Sequence, residues 1–107
     1  MIKVSFQSVN ALDDVCEILE CRMTEQKEVA KWIEESVPDV HFDCMDFPHD
    51  LEAFYDCYFR SDADEQNAKK IYDILKQNVE NNVFVEFAIF VVDDKLEVIK
   101  QIDRVCE

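Results

Sequence analysis

The ten residues from Val83 to Val92 are the most apolar run of the chain, interrupted only by Glu86. A run this rich in β-branched and aromatic side chains reads as a central strand covered on both faces. The remaining elements must therefore wrap a sheet. Their connections are further restricted because the chain contains no glycine at all. Turns have to be built from Asn, Asp, Ser and Pro, and the Gly-rich phosphate loops of Walker and Rossmann enzymes are excluded.

Around that run the pattern predicts a strand at Ile2–Val9, where Ile2, Val4 and Phe6 alternate with Lys3, Ser5 and Gln7. Asn10 is placed to cap a helix from Ala11, whose apolar stripe Leu12, Val15, Cys16, Leu19 and Met23 resumes as Ala30, Ile33 and Val37. This is one long helix or two with a kink near Cys21–Thr24, ended by Pro38. Val40, Phe42 and Cys44 then alternate as a short strand. Pro48 opens a helix to Phe59 that buries Leu51, Phe54, Tyr55 and Tyr58. Ser61 or Asp62 caps another, with Ala68, Ile71, Leu75 and Val79 inward. The tail from Lys95 fits a helix better, with Asp94 and Glu97 as a cap pair, and a hairpin back along the apolar strand is the alternative. Strands separated by helices predict a single α/β or α+β domain over residues 1–107, ordered β-α(α)-β-α-α-β-α. Its three-stranded, mostly parallel or mixed sheet would be packed with four to five helices.

Charge bounds the partners. Eleven basic against 25 acidic residues leave a net charge of −14. Direct binding to nucleic acid or to an anionic membrane needs Lys and Arg to meet phosphates, so both are disfavoured. No apolar window approaches the length of a membrane span and no export signal is visible, so a cytoplasmic protein is expected. Five cysteines, an odd number without Cys-x-x-Cys spacing, agree with reduced thiols.

The acidity peaks between Lys31 and Arg60. Those 28 residues hold eight acids and neither Lys nor Arg. Among the acids stand Trp32, Phe42, Phe47, Phe54, Tyr55 and Tyr58. Trp32, Phe42, Phe54 and Tyr58 suit a core, and Glu34 and Glu35 suit a solvated helix end. That leaves a smaller negative contact surface, formed by Asp39, Asp43, Asp46, Glu52, Tyr55, Asp56 and Phe59. Asp39, His41 and Asp43 on one strand face also invite a metal reading, but no second ligand cluster accompanies them, and an acidic edge face explains them better.

Catalytic chemistry finds little support. Only His41 and His49 are present, strand alternation sets Cys44 opposite His41, and Cys57 lies two helical turns from His49. Glu86, alone in an apolar strand, suits a strand end or a Lys partner better than a catalytic role. The expectation is a non-enzymatic binding protein without cofactor that inhibits a basic partner. A nuclease toxin neutralised by an immunity protein is the preferred version, since nucleases line their substrate surface with Lys and Arg. A phage-type DNA mimic acting on a nucleic-acid-binding defence protein is one alternative, and a regulatory or oligomeric module with incidental acidity is another. In general build, and in the acid and aromatic character of residues 50–57 (Asp-Leu-Glu-Ala-Phe-Tyr-Asp-Cys), the chain resembles barstar-type inhibitors. That resemblance implies a small helix-wrapped parallel sheet and an inhibitory helix. It departs from the family in lacking a strand after that helix, and it carries over no residue roles.

Overall fold

The computed structural model describes residues 1–6, 27–46, 55–79 and 87–105. In chain order they form β1 (Ile2–Phe6), α1 (Lys27–Ser36), β2 (His41–Asp46), β3 (Tyr55–Arg60), α2 (Asp64–Val79), β4 (Phe87–Val92) and β5 (Val98–Val105). The strands make one five-stranded sheet in the order β2-β3-β1-β4-β5. Every neighbouring pair is antiparallel.

This overturns the expected three-stranded, mostly parallel or mixed sheet with four to five helices. Among the described residues there are two helices. The parallel expectation rested on helical crossovers between successive strands, whereas β1 takes its two neighbours from distant parts of the chain. Ile2 lies opposite Phe59 on one side and Val91 on the other.

The largest correction concerns Pro48–Phe59. Its second half is not helical: Tyr55–Arg60 is β3, inserted between β1 and β2. Cys57 and Phe59 are buried towards the helices, while Asp56 and Tyr58 are buried on the opposite face. The consecutive Cys57, Tyr58 and Phe59 suit a strand covered on both faces, and ladder pairing along both edges prevails over the local helical stripe. The tail is likewise the hairpin strand β5 instead of a helix. Asp93 organises the turn that makes this possible. Its Oδ1 accepts hydrogen bonds from Lys95 N at 2.8 Å and Glu97 N at 2.9 Å. Its carbonyl accepts from Leu96 N at 3.0 Å. Without glycine, the left-handed position of this turn falls to Leu96, at φ 63°.

The helices share one face of the sheet. From β1 come Ile2, Val4 and Phe6, from β3 Cys57 and Phe59, and from β4 Phe87 and Ile89. They meet Val29, Ala30 and Ile33 of α1, and Ala68, Ile71 and Leu75 of α2. Each fully buried large apolar side chain here contributes roughly 1.5–3 kcal/mol. α1 stops at Ser36, ahead of Pro38, and Val37 N still donates to Ile33 O at 3.0 Å. Asp39 then turns the chain into β2 with φ 69°. The expected strand end at Gln7–Val9, the helix from Ala11 with its kink, the first half of the Pro48 helix and the start of the apolar run before Phe87 lie outside the described residues.

Two substitutions test this arrangement. Phe59→Ala, in the centre of the core, is expected to lower the unfolding free energy by about 3–5 kcal/mol in urea titrations. Leu96→Gly relieves about 1 kcal/mol of left-handed strain but gives up the buried part of a side chain that is 38% exposed, so the same measurement should show a net change smaller than that of Phe59→Ala by about 2 kcal/mol or more.

Candidate functional site

Antiparallel pairing collects several element ends at one end of the sheet. The entry to β2 brings Asp39 and His41, the exit of β3 brings Arg60, Ser61 and Asp62, α2 begins with Asp64, and the β4–β5 turn adds Asp94. With Met1 they line an open cleft of about 440 Å³. Four carboxylates thus face one cavity, against Arg60, His41 and the Met1 amino group.

Its fixed parts are bound to the fold. The Met1 amino nitrogen donates to Asp64 Oδ2 at 2.8 Å and to Val92 O at 3.0 Å, while Val92 N donates to Met1 O at 2.9 Å. Asp64 Oδ1 is buried without a hydrogen-bond partner. Ser61 Oγ accepts from Ala63 N at 3.1 Å and from the Asn67 side chain at 2.5 Å, which secures the start of α2. Asp64 and Glu65 then occupy the first turn, where negative charge is favoured. Arg60 Nε meets Asp43 Oδ1 at 3.3 Å, but Arg60 is 69% exposed, so solvent screens this pair heavily.

The residues expected from the sequence separate into groups. Asp39 lines the cleft. Asp43, the unpaired residue at the β2 irregularity between Phe42 and Cys44, reaches it only through Arg60. Asp46 closes β2 opposite Asp56, and Tyr55 opens β3 opposite Phe6. Glu52 lies outside the described residues. Asp56 and Phe59 do not join an exposed helix face, because both are buried in β3, Phe59 in the core. Asp56 sits between Ser5 and Asp46 in the ladders, with Oδ1 buried and unpartnered. Asp62, Asp64 and Asp94 were legible only as caps and a turn, and nothing local in the sequence shows that those ends converge on Asp39. Among the described residues, no three His, Cys, Asp or Glu side chains are grouped so as to hold a metal ion. Nor is any described helix long and apolar enough to cross a membrane.

Beside the cleft, Glu65 accepts a hydrogen bond from Lys100 Nζ at 2.7 Å, with Lys69 Nζ at 3.7 Å. The Lys100 hydrogen bond and charge, then the Lys69 charge, hold its carboxyl below the ordinary glutamate value. A lowered folded-state value stabilises the fold above the unfolded glutamate value, and that contribution is lost as pH falls through the lowered one. Lys100→Ala is expected to move the Glu65 midpoint upward in an NMR titration, leaving the smaller effect of Lys69.

Comparisons with protein-family models, with curated proteins and with solved structures found no match for this chain.

Proposed function

We propose that this chain is a non-enzymatic acidic binding protein that inhibits a basic partner. In the preferred version it is an immunity protein that neutralises a nuclease toxin by covering its nucleic-acid-binding surface. The observation that carries the reading is the cleft where Asp39, Asp62, Asp64 and Asp94 converge, on a chain of net charge −14. These acids stand at the ends of strands, a helix and a hydrogen-bonded turn. A partner's Lys or Arg would therefore meet acids whose backbone positions the fold already fixes, with less ordering needed on binding. Lys and Arg that hold phosphates in a nuclease are the complementary groups. Opposite charge also steers the encounter and raises the association rate.

Clustering at one end of the sheet favours this version over a DNA mimic, which would spread its acids along a face at phosphate-like spacing. Here Lys69, Lys70 and Lys76 occupy α2 instead, and Lys100 and Arg104 occupy β5.

The test is association kinetics with a basic nuclease domain, most usefully one encoded beside this chain's gene, together with protection of its nucleic-acid substrate. Asp39→Lys combined with Asp94→Lys should slow association by about tenfold or more at low salt, and the difference should shrink as salt rises. A captured partner that is not basic, or binding indifferent to salt and to both reversals, would overturn the reading.

A further inference from the structure

The two edges of the sheet are finished differently. β2 is overlaid: the Glu34 carboxylate of α1 accepts a hydrogen bond from Phe42 N, and Asp43 interrupts the ladder to β3. β5 is bare. Every described side chain from Val98 to Arg104 is exposed except Ile102, which is half-buried against the core. Among the described residues, the exposed large apolar side chains are Leu96 (38%), Val98 (51%) and Ile99 (65%), all at the start of this one edge. An open edge with apolar side chains beside it is a template for another strand.

We propose that β5 is the surface through which two copies of this chain pair, edge to edge and antiparallel. The charges along the strand favour a second copy as the occupant. β5 carries Lys100 and Arg104 against Asp103, two basic minus one acidic, giving +1 on a chain of −14. Two such acidic molecules meet with least repulsion there. The ladder to β4 adds a specific match. Lys100 lies opposite Val91 and Asp103 opposite Ile89, alternate positions of β4, because Ile102 is the extra residue between them. Lys100 and Asp103 therefore share a face. A two-fold axis between Gln101 and Ile102 sets Lys100 of each copy, already paired with its own Glu65 at 2.7 Å, opposite Asp103 of the other, so that one ammonium bridges two carboxylates, and lays the aliphatic stem of Arg104 along Ile99.

The irregularities at Ile99 and Ile102 restrict how far such pairing runs. Among the described residues β5 is the one open edge of each copy, and pairing consumes it. The assembly therefore closes at two instead of growing into a fibre. Its salt dependence is opposite to that of binding a basic partner: screening weakens the repulsion between two chains of like charge, so pairing strengthens as salt rises.

Sedimentation velocity of the whole chain, over a concentration series from low to about 0.5 M salt, tests the proposal. The expected result is a monomer–dimer equilibrium that shifts towards dimer with salt. Ile99→Lys, at an exposed position, should weaken pairing at least tenfold while leaving the thermal unfolding midpoint nearly unchanged. Asp103→Lys should weaken it too, because it opposes Lys100 of the other copy while leaving the Lys100–Glu65 pair within each copy in place. A chain that stays monomeric throughout, a dimer indifferent to Ile99→Lys or to Asp103→Lys, or open-ended growth would overturn it.

Discussion

The fold depends on β1 finding two neighbours at once. Its five residues are paired with β3 along one side and β4 along the other, and Ile2, Val4 and Phe6 are wholly buried under the helices. Without β1 the sheet separates into a β2–β3 hairpin and a β4–β5 hairpin, each two-stranded and only marginally stable in water. With it, one core spans all the described elements except the turns. The helices follow from this. Each offers a narrow apolar stripe that has nowhere to go except the face that β1 unites.

The absence of glycine shapes the same structure at its corners. The two positive-φ positions among the described residues, Asp39 and Leu96, are both non-glycine and both border the acidic end of the sheet. Aspartate tolerates the left-handed region better than most residues; a leucine there is strained by about 1–2 kcal/mol. The turn at Leu96 persists because Asp93 secures it from three directions, through Lys95 N, Glu97 N and its own carbonyl. That turn presents Asp94 to the cleft and directs Leu96 outward. Strain, acidity and exposed apolar surface thus meet in four consecutive residues.

Some of this was legible in the sequence. The α2 stripe of Ala68, Ile71 and Leu75 and the apolar run at 87–92 carry strong, single-period signals, and both elements form where those signals stand. Residues 55–60 do not carry such a signal. Their aromatics satisfy a helical stripe when read with Leu51 and Phe54, and a strand when read alone, and the choice is made by β1, some fifty residues away. The tail was ambiguous for the same reason, with β4 deciding. The candidate site follows this division. Asp39 stood out through the density of acids around it. Asp62, Asp64 and Asp94 belong to it only because antiparallel topology returns every second element to the same end. Phe59 misled because its exposure was inferred from a helix that is not there.

The distance between β1 and its second neighbour has a consequence for how the protein is made. Ile2 pairs with Val91, 89 positions along the chain, so β1 cannot complete its ladders until β4 has been synthesised. At about 5–20 residues per second, that wait is roughly 4–18 s, far longer than a hairpin needs to form. During that interval three large apolar side chains on β1 have no finished sheet to enter. The β2–β3 hairpin is available first and offers them a partial shelter, so the order of synthesis favours a three-stranded intermediate to which the second hairpin is added.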